Sequence, residues 1–128
     1  MKIHESYNLQ IWVGLRAHYT ETLFDIQDVR NVVDAYIKKN KTCVTITPTE
    51  FRYVDGWEPG VIIGLIQYPR FPKKEVVLLE DAKNIALLLK ECLHQERITI
   101  TSPTWTYMLE DSDADADGST VWETFHKK

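Results

Sequence analysis

The order of two hydrophobic patterns along the chain limits the folds open to it more than any other feature. Residues 7–19 alternate apolar and polar positions, which is the two-residue period of a half-buried strand. Residues 25–39 repeat apolar side chains every three or four positions, which predicts a helix with one apolar side. The lysine-rich run 38–41 favours a helix end there, because cations oppose the helix dipole.

The rest of the chain continues with strand patterns on either side of a second helix. β-branched and aromatic residues, turn residues and prolines mark the boundaries. The predicted segments are a strand at 42–54, a turn at 55–60, a strand at 61–68, a helix from Glu75 or Asp81 to Gln95, and a last strand at 97–108 that Pro103 can bend.

This order predicts an α+β fold of the ferredoxin-like βαββαβ type, with an antiparallel sheet and both helices on one face. The other sheet face would then be uncovered. It would carry either Trp12, Val44, Ile46, Ile63 and Leu65 or the residues that alternate with them. An apolar sheet face needs a partner. By analogy with other small domains of this plan, we expect an oligomer, most simply a homotrimer with ligand clefts between subunits.

Length and charge indicate one domain and exclude several functions. The chain has 128 residues, of which 44% are hydrophobic, and we expect a domain at 1–109 followed by an acidic tail at 110–128. The net charge of -4 argues against a nucleic-acid partner, which requires a basic face. No apolar run is long enough to span a membrane and no leader pattern opens the chain, so we expect a cytoplasmic protein.

The sequence gives little support for a metal site or a disulfide bond. Residues 113–118 imitate the start of a calcium loop, but Thr124 stands where a bidentate Glu is required. The four histidines show no ligand spacing, so we predict neither a metal nor a cofactor. Cys43 and Cys92 lie within apolar segments, and we expect buried free thiols.

The segment 47–60 carries the most promising polar groups. It places Glu50, Tyr53, Trp57 and Glu58 around a hairpin between strongly apolar flanks. A carboxylate and a phenol at facing strand ends can hold a cationic ligand, Glu by charge and Tyr by a hydrogen bond or its ring face. A solvated hairpin tip with Trp57 as a packing cap explains the same residues, and composition alone leaves both interpretations open.

Three segments, 44–53, 58–63 and 82–100, resemble the phage S-adenosylmethionine (SAM) lyases, long called SAM hydrolases. In that family a strand ends in Tyr, a Glu opens the next strand, and a helix carries an Asn followed eleven residues later by a Gln. Tyr53, Glu58, Asn84 and Gln95 stand at the matching positions. The chain departs from the family in its short hairpin and in Trp105, near which the family can present a polar ribose-binding residue.

The resemblance implies a homotrimer that binds SAM at each subunit interface. It also implies cleavage of SAM to 5'-methylthioadenosine and homoserine lactone without a cofactor, in the host cytoplasm, as a phage counter-defence. Tyr53 and Glu58 would be catalytic, and substrate contacts would come from Thr47, Trp57 and Trp105.

Two other functions fit the same residues. A non-catalytic trimer could bind a small ligand in the same clefts, although the short turn at 55–60 lacks phosphate-binding residues. An interaction or inhibitor protein could use the acidic tail to dock on a basic partner, since acidic residues cluster between Glu110 and Asp117.

Overall fold

Seven regular elements follow one another in the part of the chain, residues 1–17 and 21–110, that the computed structural model describes. The acidic segment 111–128, including the calcium-like stretch, lies outside these residues. The elements are β1 (Asn8–Gly14), α1 (Ile26–Asn40), β2 (Thr45–Tyr53), β3 (Gly56–Ile66), α2 (Glu75–Cys92), β4 (Arg97–Thr101) and β5 (Thr106–Glu110).

The strands form one antiparallel sheet in the order β2-β3-β1-β4-β5. The central strand β1 pairs with β3 from Asn8↔Ile66 to Gly14↔Gly60, and with β4 on its other side. The order of β1 to β4 and the two crossover helices are those of the ferredoxin-like fold. The predicted α+β fold class is therefore confirmed, with one additional edge strand.

The additional strand corrects the prediction of a single strand at 97–108. The chain turns back at residues 102–105, and β5 then pairs with β4 from Thr101↔Thr106 to Arg97↔Glu110. The Ser102 hydroxyl accepts hydrogen bonds from the backbone N–H groups of Thr104 (3.3 Å) and Trp105 (2.9 Å). A serine that bonds the backbone in this way favours a turn, and Pro103 adds to the effect.

The hairpin between β2 and β3 is also tighter than predicted. Tyr53 pairs with Gly56, so only Val54 and Asp55 form the turn, where residues 55–60 were expected. Asp55 has φ 64°, in the left-handed region that Asp enters more readily than most residues. Glu58 therefore lies within a strand, where register determines its neighbours.

The hydrophobic core lies between the two helices and one face of the sheet. The inward-facing residues of β1, of β3 from Val61 onwards, of β4 and of β5 are at most 5% exposed, and they pack against buried residues of both helices. The main contributors are Leu9, Ile11, Val13, Val29, Val33, Val61, Ile63, Leu65, Leu78, Ile85, Leu89, Ile98 and Ile100. Both helices therefore cover the same face, as predicted.

The register decides which residues occupy the uncovered face. Ile63 and Leu65 point to the core and are fully buried, whereas Trp12 and Ile62 pair on the opposite face. Around this pair the open face is made largely of threonine and glycine. The open face is therefore more polar than it would be if Ile63 and Leu65 lay on it. The β3 residues that alternate with Ile63 and Leu65 are mostly small or charged.

Both cysteines are exposed, which corrects the expectation of buried thiols. Cys92 is the last residue of α2, and its neighbour Leu93 takes the core position four residues after Leu89. Cys43 lies between α1 and β2, where the apolar neighbours in sequence do not enclose it.

A buried carboxylate joins the two helices. Asp81 of α2 is 7% exposed and accepts hydrogen bonds from the Tyr36 hydroxyl (2.6 Å) and the Thr42 hydroxyl (2.9 Å). The Lys73 ammonium lies 2.6 Å from the same carboxylate and supplies the opposite charge. A buried charge is stable only when it is paired and hydrogen-bonded. These partners therefore hold α1, the α1–β2 loop and the β3–α2 loop against α2.

We expect alkali to weaken this junction through Tyr36. Burial and the hydrogen bond to Asp81 raise the pKa of Tyr36 from 10.0 to about 12. A raised folded-state pKa means that the protonated phenol stabilises the fold fully below pH 10, and that this contribution disappears as pH rises towards 12. The stability difference between wild type and Tyr36→Phe should therefore shrink over that interval by on the order of 2 kcal/mol.

Urea unfolding of both proteins from about pH 8, which lies below the titration, to about pH 11.5, which lies near its upper end, tests this. A difference in unfolding free energy that stays constant across the range would show that Tyr36 does not titrate as a buried phenol.

Candidate functional site

The strand register brings the two predicted catalytic residues to the same face of the sheet. Phe51 pairs with Glu58, and Tyr53 pairs with Gly56, all on the face that the helices leave open. Tyr53 and Glu58 are therefore diagonal neighbours, a relation that places Cβ atoms of adjacent strands roughly 7 Å apart. Glu58 lines a cavity at this end of the sheet, and Tyr53 lies at the hairpin end beside it.

One glycine, Gly14 of β1, forms the floor of that cavity. It pairs with Gly60 of β3, and neither residue has a side chain to cover the open face. The Phe51 ring extends over Gly60, so closely that a Cβ added there would overlap the ring. Glycine within a strand permits such close approach to the backbone. The space over Gly60 is therefore taken by Phe51, and Gly14 is the glycine of this pair that faces the cavity.

Two oxygen acceptors converge over Gly14. A Cβ added to Gly14 would lie 2.7 Å from Oε2 of Glu58 and 3.1 Å from Oε1 of Gln95. Oε2 of Glu58 also accepts a hydrogen bond from the backbone N–H of Arg16 at 3.3 Å, which orients the carboxylate. The point above Gly14 is therefore bounded by one charged and one neutral acceptor.

Gln95 is held rigidly in this position. It is 6% exposed, and its Nε2 donates to the backbone carbonyls of Arg16 (2.9 Å) and Leu93 (3.2 Å). These bonds turn Oε1 towards Gly14, and among the described residues no donor occupies that oxygen. A buried acceptor without a donor costs free energy, so its position favours a ligand that donates hydrogen bonds.

The cavity suits a small group of mixed charge. Its volume is about 180 Å³, and it is lined by Trp12, Gly14, Arg16, Phe51, Glu58, Gln95, Glu96, Arg97 and Thr99. Two carboxylates and two guanidinium groups thus surround an aromatic ring and the glycine floor. Sites for drug-sized ligands usually measure about 300–1,000 Å³, so one copy of the chain provides only part of a site for a nucleoside-sized molecule.

The other three predicted contact residues lie apart from this cavity within one copy. Thr47 is on the open face, opposite Ile62, further down the sheet. Trp57 is on the reverse face of the hairpin, where the Arg52 guanidinium lies 5.7 Å from its ring centroid. Trp105 is in the β4–β5 turn, at the opposite end of the sheet from Glu58.

Sequence reasoning missed several residues of the cavity, including Gly14, Phe51 and Arg97. Gly14 had a usable signal, because an isolated glycine inside an alternating strand marks a close approach to the backbone. Phe51 and Arg97 had none, since their proximity to Glu58 depends on strand pairing.

A larger cavity, of about 340 Å³, lies at the other end of the sheet. Its wall is mainly apolar, with Ile66, Tyr68 and Phe71, and its polar groups Thr42 and Lys73 already bind Asp81. It offers a ligand apolar contact without the converging acceptors of the first cavity. We therefore place the candidate site at Glu58.

The described residues, 1–17 and 21–110, contain no cluster of three or more His, Cys, Asp and Glu side chains that could hold a metal ion. No helix in these ranges combines the length and apolar character needed to cross a membrane.

The fold of the chain is similar to that of solved phage SAM lyase structures. The chain is similar to one in complex with S-methyl-5'-thioadenosine, with a TM-score of 0.68 and 15% identity over 84% of this chain and 91% of that chain. The apo state of a phage SAM lyase gives a TM-score of 0.67 and 16% identity over 81% and 88% of the two chains. The resemblance found in the sequence is thus confirmed at the level of the fold. Searches of protein-family profiles and of curated sequences find no match.

We expect Gly14→Ala to disturb the site without unfolding the protein. The new methyl group would press on the Glu58 carboxylate and Gln95, and the flexible end of Glu58 can move away. Gly14 does not have a positive φ, so alanine adds no backbone strain. The Arg16 amide should lose its acceptor and exchange its proton faster, as measured by NMR, while the melting temperature changes little.

Gly64→Ala is the matched control. Its Cβ would press on the Thr45 hydroxyl, on the same face but away from the cavity. Unchanged exchange at Arg16 in Gly14→Ala, or equal acceleration in both variants, would contradict the packing of Glu58 over Gly14.

Proposed function

We propose that the protein degrades SAM by intramolecular lyase chemistry, releasing 5'-methylthioadenosine and homoserine lactone. The observation that supports this most directly is the convergence of Glu58 and Gln95 oxygens over a glycine floor, beside the Phe51 ring. Such an arrangement suits an alkyl ammonium group, which donates hydrogen bonds and carries positive charge. SAM has an ammonium and a sulfonium, and phage SAM lyases share this fold.

The reaction demands mainly that the substrate be folded correctly. Within SAM, a carboxylate oxygen attacks the γ-carbon of the methionine part, and the bond from that carbon to sulfur breaks. The electron pair goes to sulfur, so the products are a neutral thioether and a lactone that retains the ammonium. Because nucleophile and leaving group belong to one molecule, the protein contributes by fixing the attack geometry and excluding water.

The position of Glu58 relative to the two cations matters. The sulfonium loses its charge during the reaction, so a carboxylate against it would stabilise the substrate more than the transition state. The ammonium keeps its charge throughout, and Glu58 can hold it without this penalty. We therefore assign the ammonium to Glu58 and Gln95, and place Tyr53 beside the sulfonium.

The remaining substrate contacts require a second copy of the chain. The cavity of one copy, about 180 Å³, is too small for the adenosine part. Thr47, Trp57 and Trp105 lie outside it, and in our proposal they reach the adenosine across a subunit boundary. We propose that the open sheet faces meet in a homotrimer around Trp12 and Ile62.

The biological role we propose is removal of the methyl donor during infection. Depletion of SAM would deprive host methylation and SAM-dependent restriction of their substrate, which is a phage counter-defence.

Glu58→Gln should abolish most of the turnover. The amide keeps the shape of the side chain but removes the charge that holds the ammonium, and a charge-assisted contact of this kind is worth about 1.5–3 kcal/mol. Purified protein is incubated with SAM, without added metal, and 5'-methylthioadenosine is measured by chromatography. Homoserine lactone is the second product to confirm.

Glu50→Gln is the matched control for that experiment. Glu50 is on the same hairpin but faces the other side, where it pairs with Arg52 at 3.1 Å. Full activity in Glu58→Gln would rule out the assignment. Binding of SAM by the wild type without any product would instead indicate a ligand-binding trimer, and neither binding nor turnover would favour an interaction protein.

We expect Ile62→Glu to dissociate the trimer and remove activity together, because it places a charge at the centre of the open face. Sedimentation analysis should give three times the 14.9 kDa chain mass for the wild type and a smaller species for the variant. Leu88→Glu, at an exposed position on α2, serves as a control and should leave both properties unchanged. A wild-type monomer that turns over SAM would disprove the shared site.

A further inference from the structure

The cavity presents basic groups that neither the ammonium nor the sulfonium of SAM explains. Arg16 and Arg97 line it together with the carboxylates of Glu58 and Glu96. Two guanidinium groups and two carboxylates around one cavity can each hold a group of the opposite charge. The arrangement indicates a ligand that carries both signs of charge close together.

Arg97 lines the same cavity as Gly14 and Glu58. The β1–β4 ladder pairs Trp12 with Thr99 on the open face, and Arg97, two residues before Thr99, lies on that same face of β4. A group bound beside Gly14 therefore has both the Glu58 carboxylate and the Arg97 side chain among the residues around it.

The Arg97 side chain is accessible to a new anion. It is 48% exposed, and its Nε lies 3.5 Å from Oε1 of Glu110 on the edge strand β5. A long, half-exposed ion pair of this kind contributes little to stability. Sharing the guanidinium between Glu110 and a substrate carboxylate therefore loses little of that one ion pair.

We propose that Arg97 binds the carboxylate of the substrate, an assignment that rests on the proposed function. The ammonium and the carboxylate of SAM are attached to the same carbon atom. When the ammonium lies over Gly14 between Glu58 and Gln95, the carboxylate is within reach of the adjacent strand, where Arg97 stands. Arg97 holds one oxygen, and the other oxygen forms the bond to the γ-carbon as the carbon–sulfur bond breaks.

Arg16 is less suited to this role. Its backbone N–H already holds Glu58, and its guanidinium lies 3.7 Å from Glu21, in the loop beyond the end of β1. It nevertheless lines the same cavity, so it is the informative comparison for Arg97.

The test compares SAM with decarboxylated SAM, which has the same ammonium and sulfonium but no carboxylate. Kinetic constants for SAM come from release of 5'-methylthioadenosine, and dissociation constants for decarboxylated SAM come from calorimetry. Arg97→Gln should raise KM for SAM by about tenfold to a hundredfold, with a smaller change in kcat, as expected for loss of one charge-assisted contact. The dissociation constant of decarboxylated SAM should stay within about twofold of the wild-type value, since it makes no such contact.

Two further variants distinguish a specific contact from a general effect of charge. Arg97→Lys keeps the charge and should recover part of the lost affinity for SAM, whereas Arg70→Gln, at the far end of the molecule, should behave as the wild type. Arg16→Gln should change the KM for SAM and the dissociation constant of decarboxylated SAM by similar factors.

Equal weakening of both ligands by Arg97→Gln, an unchanged KM, or a selective effect of Arg16→Gln would overturn the assignment of Arg97. These failures differ from failure of the proposed function, which would be visible as absence of product from the unmodified protein and would remove the basis of this inference too.

Discussion

The antiparallel register between β1 and β3 is the constraint on which both the core and the candidate site depend. It pairs Ile11 with Ile63 on the helix side, and Gly14 with Gly60 on the open side. Side chains alternate along a strand, so a shift by one residue would exchange the two faces. The burial of isoleucine and valine thus selects the same register that exposes the glycine floor.

The molecule has two charged centres with different roles, one at Asp81 and one above Gly14. Asp81 is buried with its oxygens occupied by Tyr36, Thr42 and Lys73, and such a centre stabilises one packing of the helices. Above Gly14, the Gln95 oxygen is fixed by donors on its own amide but has no donor itself among the described residues. This oxygen lines the cavity, so a bound ammonium can donate a hydrogen bond to it. Stability and binding are therefore assigned to different ends of the sheet.

The sequence predicted the elements better than their ends. The helices at 26–40 and 75–92 and the first three strands follow periodic patterns that core burial enforces. The reversal between β4 and β5 was missed because β-branched and aromatic residues continue on both sides of Pro103, and the pairing of the two strands and the Ser102 hydrogen bonds reveal it. The exposure of Cys92 was also missed. The helix periodicity at the last residue of α2 did not show whether Cys92 or its neighbour Leu93 faces the core.

The site was predictable as separate residues but not as an arrangement. Glu58 and Gln95 were recognised by resemblance to a family, although 37 positions separate them in the chain. Phe51 and Arg97 could not be found, because they reach the cavity through pairing with strands distant in sequence.

By itself, therefore, the sequence determined the order of strands and helices, the apolar positions that form the core and the polar residues available for chemistry. Each of these depends on local periodicity and residue type. Only the tertiary structure decided the fifth strand, the face on which each side chain lies, and the meeting of Glu58 with Gln95 over Gly14. These depend on register and on contacts between distant segments, which are set by the packing of the whole chain.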